Sequence, residues 1–136
     1  MSYWLAKTEP ETFSYSDLER LTKDMWDGVR NFTAAKHIKA MQPGDLLLIY
    51  HSGKEKAIVG VAEAVSEPYP DPTSADPRFY TIDVIPRYRL PQPVTLRAIK
   101  ANSTFADWEL VRQSRLSVMP VSASHWQLIM ELAGQA

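Results

Sequence analysis

The sequence lacks cysteine, a long apolar run and an excess of positive charge, and each absence excludes a class of protein. Without cysteine, its 136 residues form no disulfides or thiolate metal sites, which fits a reducing compartment. No apolar run approaches the length that spans a bilayer, and the start does not resemble a signal peptide because Lys7 and Glu9 follow early. The net charge of −1 provides no global basic field for holding duplex nucleic acid by its phosphates. We therefore expect a cytoplasmic protein with no membrane partner, which binds any nucleic acid through a local pocket or patch.

The composition is that of an ordinary globular protein with a hydrophobic core. Hydrophobic residues make up 45% and charged residues 23% of a chain whose length suits one domain over residues 1–136. Four tryptophans and six tyrosines are consistent with aromatic recognition and equally consistent with core packing.

Apolar runs and turn signals predict a mixed α+β fold. Gly60 lies inside a predicted strand and indicates a bulge or a close approach by another group, and Pro86 indicates a bulge or an edge position. Four prolines in residues 67–78 predict an exposed loop. Since tight turns or short helices join most strands, we expect a curled or barrel-like central sheet. Strands are predicted at residues 2–7, 46–50, 57–65, 79–90 and 116–121, and helices around 18–21, 32–41, 96–99, 105–111 and 122–132.

Residues 25–32, Met-Trp-Asp-Gly-Val-Arg-Asn-Phe, combine a flat apolar ring with directed polar groups. Trp26 offers a stacking face, Arg30 and Asn31 offer hydrogen-bond donors, and Gly28 lets the backbone turn or approach a ligand closely. A nucleobase needs this mixture of stacking surface and edge-directed groups. Two simpler interpretations remain open: Trp26 as a core residue, and Asn31 as the N-cap of the following helix.

Six segments, in order along nearly the whole chain, resemble the successive motifs of EVE-domain proteins, a family that includes the thymocyte nuclear protein group. Two departures are small: Thr8 stands where serine is usual, and Ser114 stands where glycine is frequent. The basic N-terminal extension of the nuclear relatives is absent, which favours a short bacterial member. The segments are residues 3–10, 26–31, 44–45, 50–52, 69–73 and 110–118.

The resemblance implies a PUA-like fold, a curled β-barrel of five to six strands flanked by short helices. It also implies a pocket that holds a modified or flipped base in DNA or RNA, with Trp26 as the stacking residue. Tyr50, His51 and Ser52 join the candidate base-binding residues because they match a family motif where a buried strand reaches the surface. His51 either reads a base edge or satisfies a backbone group.

Two further groups are candidates for phosphate or polar contacts. Lys7 and Glu9 flank the end of the first strand. They form either a solvated ion pair, which contributes little, or a binding site in which Lys7 contacts a phosphate and Glu9 accepts hydrogen bonds from a ligand. Arg112 and Arg115 lie three residues apart between a helix and a strand, where phosphate or base contact competes with a simple solvated face. Gln113 and Ser117 lie beside them.

No catalytic motif is present. The serines, carboxylates and three histidines do not form a nucleophile elbow, a phosphate-binding glycine-rich loop or a His-x-x-x-His metal pair. His51 and Ser52 are adjacent on a strand and so point to opposite faces. Asp71 and Asp76 lie in the proline-rich loop and are typical turn formers, and Trp4, Trp108 and Trp126 are assigned to the core.

We therefore expect a non-catalytic nucleic-acid reader without cofactor or metal, whose partner is DNA or RNA that carries a modified base. Two alternatives remain open. One is a PUA-like binder of structured RNA, and the other is an interaction module that takes a small heterocycle or a peptide in the same cleft.

Overall fold

The computed structural model describes residues 1–134, and its centre is a six-stranded sheet curled into a half-barrel. The strands are β1 (Tyr3–Thr8), β2 (Asp24–Met25), β3 (Leu46–His51), β4 (Ala57–Ala64), β5 (Tyr69–Pro70), β6 (Tyr80–Thr81), β7 (Asp83–Thr95) and β8 (Val118–Val121). The helices are α1 (Tyr15–Leu21), α2 (Phe32–Ala40), α3 (Leu96–Lys100), α4 (Glu109–Arg112) and α5 (Ala123–Leu132), with a 3-10 turn at Ser103–Phe105. This is the curled α+β, PUA-like architecture that the sequence predicted.

The strand order in the main sheet is β2-β7-β4-β3-β1-β8, and β5 pairs with β6 in a separate two-stranded sheet. β1 and β3 run parallel, with Tyr3 opposite Leu46 and Thr8 opposite His51, whereas β1 and β8 are antiparallel. The ends of β1 and β3 therefore lie side by side. β3 is buried almost throughout, as its continuous apolar run predicted.

Gly60 in β4 fulfils both roles that its position predicted. The register between β4 and β7 shifts between Ile58 and Gly60, which is a bulge. The Tyr15 ring also packs against Gly60 so closely that an added Cβ would lie 2.6 Å from ring carbons. The Tyr15 hydroxyl donates to the carbonyls of Val61 and Tyr88, which fixes α1 on the sheet.

Short polar side chains cap α1, α2 and α5. The Asn31 side chain accepts from the Ala34 amide and caps α2, Ser14 forms a capping box with Asp17 at α1, and Ser122 caps α5. Leu21, the last residue of α1, is 51% exposed, and that helix packs through Tyr15 and Leu18.

Several predicted boundaries were wrong. The helix expected at residues 105–111 is divided into the 3-10 turn and α4, and the last strand begins at Val118 rather than at residue 116. The predicted loop at residues 67–78 contains β5. β7 continues through Pro91 and Pro93 to Thr95. This is possible because β2 pairs only with the first residues of β7, so beyond them, in the described part of the chain, one edge of β7 has no partner strand that would need the amide donors that proline lacks. Among residues 1–134, no helix has the length and apolar character to cross a bilayer.

Candidate nucleic-acid interface

Trp26 belongs to the core and also borders an open cleft. Its side chain is only 7% exposed and packs edge-on against Phe13, with ring centroids 6.1 Å apart. The cleft beside it has a volume of about 370 Å³, which lies in the lower part of the range of small-ligand sites, roughly 300–1,000 Å³. The core and pocket interpretations of Trp26 are therefore compatible. The residues lining this Trp26 cleft are Lys7, Thr8, Thr12, Phe13, Asp24, Met25, Trp26, Asp27, Gly28 and Val29.

A buried carboxylate holds the loop that follows Trp26. Oδ2 of Asp71 accepts hydrogen bonds from the Gly28 amide and from Arg30 Nη1, both at 3.0 Å. Its other oxygen accepts from the amide and the hydroxyl of Thr73 at 2.7 and 2.6 Å. Gly28 has φ +82°, a conformation that favours glycine, and its amide can therefore face the carboxylate. Asp71 was expected to be a turn former in an exposed loop, but its side chain is fully buried.

The hydrogen bonds to Asp71 also set the pKa of its carboxyl group. Burial by itself raises the pKa of this carboxyl, because the charged form loses its hydration. The bonds from Thr73, Gly28 and Arg30 outweigh burial and lower the pKa to about 2. The carboxylate therefore stays charged at neutral pH and can serve as the anchor of the loop.

Arg30 is committed to this anchor. Besides Asp71, its guanidinium donates to the Thr73 hydroxyl at 3.0 Å and lies over the Phe79 ring at 5.5 Å from the centroid. Arg30 does not line the Trp26 cleft. The contacts place it beneath the loop as a support rather than in the open cleft.

A second recess of about 320 Å³ contains the polar candidates from two distant parts of the sequence. Asn31, at the start of α2, faces Arg112, Gln113 and Arg115 across it. Arg112 pairs with the exposed carboxylate of Asp107 at 3.1 Å. The residues lining this arginine recess are Asn31, Thr33, Arg112, Gln113, Ser114, Arg115 and Leu116.

Lys7 connects the two depressions. It lines the Trp26 cleft, and its Nζ donates to the carbonyl of Ser114, a residue of the arginine recess, at 3.0 Å. The Lys7 amide donates to the Ser117 carbonyl, which extends the pairing of β1 with β8 and sets the position of both residues. Partial burial lowers the pKa of the Lys7 ammonium.

The candidates at the end of β3 lie beside these depressions but line neither. Both nitrogens of His51 are engaged: Nε2 accepts from the Tyr15 amide at 3.0 Å, and Nδ1 donates to Glu55 at 2.9 Å. The Tyr50 ring is buried under the Lys7 ammonium. Ser52 donates to the Glu9 carboxylate at 3.1 Å. In the described residues, this group serves to hold α1 and the β3–β4 turn in place.

Sequence reasoning did not single out three residues that shape the site. Phe13 and Thr12 line the Trp26 cleft from the connection before α1, and Asp71 holds its loop. Asp71-Pro72-Thr73 carries a local signal, because an aspartate that accepts from a residue two positions later is a common turn. No local pattern predicts that Phe13 meets Trp26, since the contact depends on the curl of the sheet.

The family model of the EVE domain matches residues 2–132, almost all of the described chain. The chain belongs to the EVE-domain family. Its structure resembles the NMR structure of Rpa0253 from Rhodopseudomonas palustris, with 43% sequence identity, a TM-score of 0.93 and coverage of 98% and 94% of the two chains.

Two other solved structures place this EVE domain among its relatives. The crystal structure of human THYN1 in complex with DNA that contains 5-methylcytosine is 27% identical, with a TM-score of 0.91 and coverage of 100% of this chain and 99% of that one. The ASCH protein from Zymomonas mobilis is 12% identical, with a TM-score of 0.62 and coverage of 96% and 95%. The latter likeness concerns the fold alone.

Proposed function

We propose that this EVE domain binds nucleic acid without catalysing a reaction and accepts one base, modified or flipped out of its stack, in the Trp26 cleft. The observation that carries the proposal is the Trp26 cleft itself. It is walled by Trp26 and Phe13 and connects through Lys7 to a recess that bears two arginines. Stacking on an aromatic ring stabilises a bound base by about 1–3 kcal/mol. The human THYN1 complex with 5-methylcytosine-containing DNA supports DNA as the partner and a modified base as the guest.

Each part of the site has a distinct task in this proposal. Trp26 stacks against the base from the wall of its cleft, where Lys7 supplies a polar contact, and Asn31 supplies one in the arginine recess. Arg112 and Arg115, with Gln113 beside them, contact phosphates. Arg30 acts through Asp71 by holding the loop.

To bind one base, the cleft must supply enough binding free energy to offset the cost of removing that base from its stack. Flipping a base from a duplex costs a few kcal/mol, and the cost is least for a damaged or single-stranded site. We therefore expect single-stranded oligonucleotides to bind more tightly than duplexes of the same sequence, and a modified cytosine to bind more tightly than cytosine.

The test is a fluorescence-anisotropy titration of DNA and RNA oligonucleotides, single- and double-stranded, with and without 5-methylcytosine. Equal weak binding to every oligonucleotide would contradict base reading. Preference for structured RNA, regardless of modification, would favour an RNA-binding role instead.

The stacking role has its own test. Trp26→Leu keeps an apolar side chain and removes the ring, and we expect about tenfold weaker binding, which corresponds to roughly 1.4 kcal/mol. Trp126→Leu is the matched control, because Trp126 stacks on Tyr3 and lines neither depression. Both variants are checked for folding by circular dichroism. Unchanged binding by a folded Trp26→Leu protein would exclude the stacking role.

A further inference from the structure

A separate cleft of about 470 Å³ lies between the β3–β4 turn and α3. Four cations surround it. Its one carboxylate, Glu55, accepts a hydrogen bond from Nδ1 of His51 at 2.9 Å. None of these residues was a candidate in the sequence. The residues lining this basic cleft are Lys54, Glu55, Lys56, Thr95, Leu96, Arg97 and Lys100.

Within the described residues, the four cations of the basic cleft outnumber its one carboxylate, Glu55, and leave the lining strongly positive. All 15 lysines and arginines lie in that part of the chain, and seven of them form salt bridges with carboxylates. Half of the other eight surround this cleft. The whole chain carries a net charge of only −1, so this concentration is local. Like charges held around one concavity repel each other and attract an external anion.

The two walls of the cleft are joined by the fold. The Leu96 amide donates to the Lys56 carbonyl at 2.8 Å, and Ala57 pairs with Thr95 where β4 begins and β7 ends. Lys56 has φ +47°, a left-handed conformation that a residue with a side chain rarely adopts. The cleft therefore exists before any ligand binds, and its shape is maintained at the cost of some backbone strain.

The elements that build the basic cleft also contact elements of the candidate interface. On one side, α3 packs against α4, the helix that ends at Arg112. On the other side, the turn after β3 contacts the end of β1, where the Ser52 amide donates to the Thr8 carbonyl. Thr8 lines the Trp26 cleft. The basic cleft and the Trp26 cleft are therefore built on neighbouring elements of the fold.

We propose that the basic cleft is a second phosphate-binding site, which holds backbone phosphates of the same nucleic-acid strand some nucleotides away from the base in the Trp26 cleft. This inference rests on the proposed function. Free polyphosphate presents the same chemistry, and the experiment separates the two sources.

The test compares Lys54→Gln/Lys100→Gln, which removes one cation from each wall, with Arg20→Gln/Arg87→Gln. The control removes the same charge at exposed positions that line none of the three depressions. Binding of a single-stranded 15-mer and of a trinucleotide, each with a central 5-methylcytosine, is measured from low to high salt. For the 15-mer, we expect the slope of log K against log salt to fall by about 0.7 for each lost phosphate contact in the cleft variant alone.

The trinucleotide has only the phosphates that flank its central base and none some nucleotides away, so it should bind the cleft variant and the parent equally. Identical slopes for the cleft variant and the control with the 15-mer would overturn the second site while leaving base binding intact. Failure of the parent to bind any oligonucleotide would instead overturn the proposed function.

A second measurement uses tripolyphosphate and amide chemical shifts of the parent protein. We expect perturbations at residues 54–56 and 96–100, and their loss in the cleft variant. Absence of any perturbation in the parent would overturn the anion site itself. Perturbation by tripolyphosphate together with no effect on the 15-mer would assign the cleft to free polyphosphate and reject the strand contact.

Discussion

Two arginine-bearing segments border the candidate interface, and their charges are used differently. In the loop after Trp26, Arg30 is held by the buried Asp71 and by Thr73, and its exposed fraction is 41%. In the connection after α4, Arg115 is exposed and forms no salt bridge within residues 1–134. The first arginine has satisfied its hydrogen bonds inside the protein, whereas the second presents them to solvent. The comparison separates a residue that shapes a site from one that can bind a ligand.

The largest effect that tests this comparison is expected from Asp71→Ala. It leaves the amides of Gly28 and Thr73 without an acceptor and releases Arg30. We expect a loss of about 3 kcal/mol in the free energy of unfolding, measured by urea denaturation, because unsatisfied buried donors cost about 1–3 kcal/mol each and some regain water. Weaker oligonucleotide binding should accompany it.

Asp76→Ala is the matched control for this prediction. Asp76 lies in the same loop, and within residues 1–134 its carboxylate accepts hydrogen bonds only from the amide and the guanidinium of the exposed Arg78. Its removal should destabilise the protein much less than removal of Asp71, because an exposed ion pair contributes little to folding. Equal losses for both variants would show that Asp71 is not the anchor of the loop.

The role of Asp71 as the loop anchor should also appear in the pH dependence of the free energy of unfolding. The folded pKa of Asp71 is about 2, below its usual 3.8, so folding favours the charged form. The stability that it contributes is present above about pH 4 and is lost as pH falls from about 4 to about 2. Urea denaturation at several pH values should show a shallower loss in Asp71→Asn than in the parent. Parallel curves for the two proteins would contradict the assignment.

The smallest effect on stability, and a clear effect on binding, is expected from Arg115→Gln. Exposed side chains without partners contribute less than about 0.5 kcal/mol to folding, so the denaturation midpoint should not move. Oligonucleotide binding should weaken, and its salt slope should fall by about 0.7 on single strands. Arg20→Gln, which alters an exposed pair on α1, should leave both quantities unchanged. Full binding by Arg115→Gln would remove this arginine from the interface.

The two segments also differ in how well the sequence predicted them. The arginine pair at 112 and 115 was expected at a helix-to-strand connection, and it lies there, facing Asn31. Arg30 was expected to face a base edge, but its contacts with Asp71 come from a loop more than 40 residues away. A motif predicts which side chain is present. Whether that side chain can bind a ligand depends on partners that are distant in the sequence.

His51 illustrates the same limit. Its motif position suggested either base reading or satisfaction of a backbone group, and its contacts with Tyr15 and Glu55 match the second. Asn31 caps α2 through Ala34, as one of its two interpretations predicted, and it also lines the arginine recess, while its contact with a base stays a prediction. For neither residue does the local sequence distinguish the outcomes, because both depend on packing between elements.

The sequence by itself determined the elements, the curled α+β sheet and the family, since these follow from apolar periodicity, caps, turns and motifs in order. The bulge at Gly60 and the cap at Asn31 express local chemistry of this kind. Only the tertiary structure decided which polar groups bind each other and which remain open to a ligand. The burial of Asp71 and the basic cleft between the β3–β4 turn and α3 arise from segments far apart in the chain. Hydrogen bonds and charge act over a few ångströms in space, and the fold sets those distances.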